Sequence, residues 1–188
     1  MNHELHSQTI RAAAIEDDGS CDVDALLAEV AERLGRAGRR VGGLLMTYPQ
    51  GRATCAGEMV LVDIETRETY LVSQPLGSGS SGCRADPQGF ARASVVLRRL
   101  VGRAPDLVIC NRFGRLEVEG GGFRAEMLDL MASDVPVLTV VSSRFRDDWL
   151  SFTGDAALLR PDIAVVDAWL WRCLAESVPD GAVQPGAT

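Results

Sequence analysis

Apolar positions along the chain fall into two alternating kinds of segment. Short continuous runs read as buried strands, and runs with helical spacing read as one-sided helices. Residues 9–15 are a small, apolar first strand, followed by an acidic loop over residues 16–21. Asp22 can cap a helix whose apolar positions Val23, Leu26, Leu27, Val30 and Leu34 recur every three or four residues, and Gly35 and Gly38 end it. Residues 41–47 form a second strand, turned by Tyr48-Pro49-Gln50-Gly51. Residues 58–64 and 69–72 alternate as a hairpin around Glu65-Thr66-Arg67.

A Gly/Ser loop over residues 76–84 leads to Asp86-Pro87, which opens a helix carrying Phe90, Val95, Val96, Leu97 and Leu100. Residues 107–110 are a strand. Gly120-Gly121-Gly122 turns the chain into a helix with Phe123, Met127, Leu130 and Met131. After Pro136 comes a strand over residues 137–141, and Ser142-Ser143 precedes a short helix with Trp149 and Phe152, read as core or interface residues. Residues 162–177 are the last helix, with Ile163, Val166, Leu170 and Leu174 as its core stripe and Trp169 and Trp171 off it.

Apolar strands alternating with helices predict an α/β fold, a mostly parallel sheet covered on both faces, with an inserted hairpin. The expected organisation is one domain over residues 9–178, with flexible tails at 1–8 and 179–188. Ligands of such sheets bind beyond the carboxyl ends of the strands. That end gathers the acidic loop, residues 111–122 and residues 142–146.

Composition removes several chemistries. Hydrophobic residues are 46 % of 188, enough for a packed core, and the formal net charge of −7 argues against nucleic acid as partner. The apolar runs are too short to span a bilayer, so no membrane insertion and a cytoplasmic location are expected. All 19 basic residues are Arg, so no Lys can form a Schiff base or serve a phosphate loop. The two His, His3 and His6, lie in the polar amino-terminal stretch, which leaves no imidazole base elsewhere. The five Cys are widely spaced, against a zinc or disulfide framework.

The order of motifs resembles the small P-loop nucleoside triphosphatases first described from thermophiles. More closely, it is similar to a bacterial family of unknown function related to them and often encoded beside molybdate-uptake genes. The residues that carry the resemblance are residues 40–45, Val62-Asp63-Ile64-Glu65-Thr66, residues 82–87, residues 106–114 and residues 136–141. The resemblance implies a nucleotide-handling fold and, through the gene setting, molybdenum metabolism. Two departures are plain. A P-loop needs a Gly-rich turn ending in Lys and a hydroxyl. Here the equivalent residues are Glu16-Asp17-Asp18-Gly19-Ser20-Cys21-Asp22, with four carboxylates. The carboxylate pair expected after the strand at 107–110 is Asn111-Arg112.

Three readings follow. In the first, the chain is a non-hydrolytic oxyanion- or nucleotide-binding, regulatory protein. Its ligand is held by Arg112, Asn111, the Gly120-Gly121-Gly122 turn, Arg84 and Cys83. In the second, it is a divergent phosphohydrolase in which Asp17 and Asp18 place magnesium, with Glu117 as a further candidate. In the third, it is a thiol-dependent metal-handling protein using Cys83 and Cys21, since a thiol near a helix start favours its thiolate. Magnesium and molybdate both stay open as cofactors, and a small anion or nucleotide is the expected partner. The bland alternatives are that Arg112 pairs with Glu117 or Glu119, that the glycine turn is only a connection, and that Cys110 is core. One of the two tryptophans could serve a homo-oligomer contact.

Overall fold

The computed structural model of the protein describes residues 11–49, 58–74, 85–154 and 156–176. In chain order the elements are β1 (Ala12–Asp17), α1 (Val23–Arg36), β2 (Val41–Thr47), β3 (Val60–Asp63), β4 (Thr69–Leu71), α2 (Pro87–Arg98), β5 (Leu107–Ile109), α3 (Arg115–Val118), α4 (Arg124–Ala132), β6 (Val137–Ser142), α5 (Arg146–Thr153), β7 (Ala157–Leu159) and α6 (Ile163–Glu176). A single turn of 3₁₀ helix, Ser143–Phe145, joins β6 to α5.

The seven strands form one sheet in the order β4-β3-β2-β5-β6-β1-β7. The five from β2 to β7 are mutually parallel, and β3 and β4 extend the edge antiparallel as the expected hairpin. Alternate residues of one strand face opposite layers, as the pleat requires. Ala12 and Ala14 of β1 join a core with Val96, Leu97, Phe123 and Trp149, contributed by α2, α5 and the start of α4. Ala13 and Ile15 join a second core with Leu27, Val30, Val166 and Leu170, from α1 and α6. The sheet is therefore covered on both faces.

Local chemistry explains the helix starts. Asp22 accepts from the N–H groups of Asp24 (3.1 Å) and Ala25 (3.2 Å), and Asp86 accepts from Gln88 N–H (3.0 Å) with Pro87 at the first helical position. Gly43 has φ +113, and a Cβ there would collide with the Ile109 carbonyl of the neighbouring strand. This glycine lets β2 and β5 approach, just below the crevice.

The structure corrects the sequence reading at several elements. Strand β1 runs on through Glu16 and Asp17, because its ladder with β6 continues to Asp17 opposite Ser142. Strand β7 and the four-residue α3 were not expected. Val95 is 49 % exposed, since Ala93, Val96 and Leu97 carry the buried face of α2. Trp169 is buried, in the stripe Val166, Leu170 and Cys173, whereas Trp171 is exposed with the Arg39 guanidinium 5.9 Å from its ring. Both tail segments lie outside the described residues. Among the described residues no helix is long and apolar enough to cross a membrane.

Candidate functional site

The carboxyl ends of β1, β5, β6 and β2 bring together a charged corner and an apolar pocket, and Arg112 belongs to both. Arg112 follows β5 with φ +34, a left-handed conformation that side-chain-bearing residues seldom adopt. From there its guanidinium reaches past β6 to the end of β1 and the first turn of α1. Nη1 donates to Asp17 Oδ2 at 2.8 Å, and Nη2 donates to both Asp24 oxygens at 3.2 and 3.4 Å. Burial works against the charged guanidinium, but the Asp17 hydrogen bond and the Asp24 charge outweigh it and hold the Arg112 pKa above its ordinary value. Arg112 is thus paired with the acidic loop and the first turn of α1, not with Glu117 or Glu119. The expected ion pair exists with different partners, 95 and 88 residues away in sequence.

Glu117 and Glu119 have other roles. Glu117 is 2 % exposed and accepts from the N–H groups of Gly114 and Phe123, both at 3.0 Å, so it ties the start of α3 to the start of α4. Burial pushes its pKa up, and those backbone hydrogen bonds offset part of the rise. Glu119 pairs with Arg115 at 2.7 Å on the surface. The glycine turn serves this junction. Gly120 N–H and Gly121 N–H donate to the Glu117 and Leu116 carbonyls at 3.2 and 2.8 Å, and Gly122, at φ +56, leaves room for the Glu117 carboxylate. Two of the three amides proposed to cradle an anion are therefore engaged within the fold.

The two aspartates proposed for a metal have different partners. Asp17 holds Arg112, while the exposed Asp18 accepts from Ser20 N–H at 2.8 Å, and hydrogen bonds from the Ser20 side chain and then its backbone lower the Asp18 pKa. No cluster of three or more His, Cys, Asp or Glu arranged to hold a metal occurs among the described residues. Cys21 is exposed at this corner, 3.7 Å from the Pro161 carbonyl. Desolvation and the charges of Asp18, Asp17 and Asp22 raise its pKa, so its thiol form is favoured. Cys110 is fully buried core, as expected, and its thiol is pushed far up by burial. Cys83 and Arg84 lie outside the described residues.

Beyond Arg112, away from the acidic loop, lies a pocket of about 370 Å³ between β2, α2, α3 and the end of β6. Its walls include Met46, Met59, Phe90, Phe113 and Phe145. Phe113 is clamped by Phe152, ring centroids 5.2 Å apart, and by Trp149 at 5.4 Å. Asn111 lines this pocket at 2 % exposure, and its Oδ1 is buried without a hydrogen-bond partner. Arg144 stands exposed among the lining residues, its guanidinium 4.6 Å from the Phe145 ring centroid. Sequence reasoning missed Asp24 and this apolar wall. The one signal for Asp24 was its place two residues past the helix cap. The wall residues are indistinguishable from core in sequence.

The charges at this corner are exchanged relative to a P-loop enzyme. Where a P-loop enzyme presents a loop cation and a distal carboxylate, this chain presents loop carboxylates and a distal guanidinium. Arg112 is paired with Asp17 and Asp24, and Glu117 is the carboxylate that lines the adjoining pocket.

Comparison with known proteins agrees with the fold. A solution structure of a human cancer-related nucleoside triphosphatase superposes with a TM-score of 0.58 at 15 % identity, over 89 % of this chain and 99 % of that one. Over 163 residues, 86 % of its length, the chain is 37 % identical to the molybdenum import ATP-binding protein ModC 2 of Bradyrhizobium diazoefficiens, of which it spans only 18 %. Residues 12–169 match the model of a family described as proteins of unknown function, DUF2478, and the chain belongs to that family, on a P-loop NTPase-like fold.

Proposed function

We propose that the protein binds a small anionic ligand without hydrolysing it, in a sensing or regulatory role. The observation that carries this reading is the closure of the phosphate corner by Arg112, Asp17 and Asp24. A triphosphate entering there would face four loop carboxylates and would have to displace a paired guanidinium. At an effective dielectric constant of about 20, each like-charge contact near 4 Å costs about 4 kcal/mol before screening. The cation left for an anion is Arg144, which has no ion pair among the described residues and stands beside the apolar pocket.

The molybdenum import named for the similar protein makes molybdate the first oxyanion to titrate. Calorimetric titration with molybdate, tungstate, phosphate, ATP and GTP tests the reading. Binding of at least one at micromolar to millimolar concentration is expected. No binding by any of them at millimolar concentration overturns it. In a parallel assay no phosphate release from ATP or GTP is expected with magnesium. Magnesium-dependent release abolished by Asp17→Ala or Asp18→Ala would replace this reading with a divergent phosphohydrolase.

A further inference from the structure

We infer that the pocket beside Asn111 binds a purine-type ring carrying one anionic group, with the ring inside and the charge at Arg144. This rests on the proposed binding of a small anion and adds what the anion is attached to. Three observations converge on a ring.

The first is size. A volume of about 370 Å³ is near the lower end for ligand pockets, about 300–1,000 Å³. It suits one ring system with a short substituent, not a triphosphate. The second is the surface. Phe90, Phe113 and Phe145 with Met46 and Met59 present aromatic and thioether groups, whose polarizable faces suit a π system. Phe113 is fixed by Trp149 and Phe152 behind it, so that wall is formed before any ligand arrives. The third is Asn111. A buried amide oxygen without a partner costs free energy unless a ligand supplies a donor. An amide offers one acceptor and two donors, a pattern that the adjacent donor and acceptor on a purine edge complete. An aliphatic ligand would leave Asn111 unsatisfied.

Arg144 supplies the complement for the charge. Its guanidinium stacks on Phe145, so the group meeting the anion also borders the ring's surface. The acidic loop lies on the far side of Arg112 from this pocket and repels the anion from the corner.

The test is titration of the full chain with adenosine 5′-monophosphate, guanosine 5′-monophosphate, adenosine and ribose 5-phosphate. At least one of the two monophosphates is expected to bind about tenfold or more tighter than ribose 5-phosphate. Asn111→Leu should weaken that nucleotide about tenfold while leaving ribose 5-phosphate within about twofold. Met59→Trp, which fills the pocket from a half-buried position, should do the same and serves if Asn111→Leu does not fold. Equal affinity for the nucleotides and ribose 5-phosphate, or indifference to both substitutions, overturns the ring assignment and leaves the anion reading standing. Adenosine binding as tightly as its monophosphate, unaffected by Arg144→Ala, keeps the ring and removes the anion. No binding by any of the four overturns the ring assignment, and the anion reading then rests on the titration with molybdate, tungstate and phosphate.

Discussion

Substituting Arg112 by Met removes the guanidinium while keeping much of the side chain's stem, and so isolates the charged corner. Side-chain exposures of 27 % for Arg112, 21 % for Asp17 and 8 % for Asp24 place the group between a surface pair and a fully buried one. Breaking a buried ion pair from one side costs about 3–5 kcal/mol, mostly because the other charge is left unpaired. Two features reduce that cost here. Residual solvent screens Asp17, and Asp24 sits in the first turn of α1, where the helix dipole stabilises a carboxylate by about 0.3–1 kcal/mol. The expected destabilisation is about 2–3 kcal/mol, or a fall in melting temperature of about 4–12 °C for a chain of this size. Urea denaturation of the wild type, Arg112→Met, Asp17→Asn and the double variant reads it directly. The double-mutant cycle should return a coupling of about 1–2 kcal/mol between Arg112 and Asp17. An Arg112→Met protein as stable as wild type, or a coupling within about 0.3 kcal/mol of zero, refutes the corner as a structural clasp.

Other outcomes are equally definite. Glu117 has a folded pKa raised above its ordinary 4.5, so the folded state holds the proton more tightly. Its ionisation therefore costs stability as pH climbs from about 4.5 through the folded pKa, and below 4.5 that cost is absent. The stability of wild type relative to Glu117→Gln should accordingly fall over that rise in pH, and denaturation curves with a pH-independent difference would contradict this. Gly43→Ala should cost several kcal/mol, about 3 or more, because a positive φ and a backbone clash with Ile109 combine. A soluble variant with an unshifted melting curve would show that β2 and β5 can separate freely. Cys110 should resist iodoacetamide in the native protein and react only in denaturant, as followed by mass spectrometry; native-state labelling would mean the crevice floor opens.

The sheet was legible because its strands are apolar on both faces and its helices on one, a contrast that survives without tertiary information. Residues 41–47, the hairpin and both aspartate caps fell where the periodicity put them. Strand β7 escaped because Ala157-Leu158-Leu159 is too short to show a period and pairs only along β1. The site was legible in composition and not in pairing. Arg112 was singled out correctly as a cation at a strand end, but its partners were sought among the nearest glutamates in sequence. A parallel sheet brings the ends of strands far apart in the chain to one edge, so Asp17 and Asp24 were nearer in space. The pocket was invisible for a different reason. Whether Phe113 or Met46 lines a cavity or fills a core depends on what is missing beside it, and no sequence records a void.

On the proposed non-hydrolytic reading, the exchanged charges at the corner also bear on how hard this chain would be to convert. A lysine added to the loop alone would compete with Arg112 for Asp17 and Asp24. Replacing Arg112 by an acid alone would leave three carboxylates facing one another with no counterion. Each half of a hydrolase site is unfavourable until the other half is present, so a designer must change both in one step. A library that samples single substitutions around Asp17 or Arg112 should therefore yield unstable proteins well before it yields a nucleotide hydrolase.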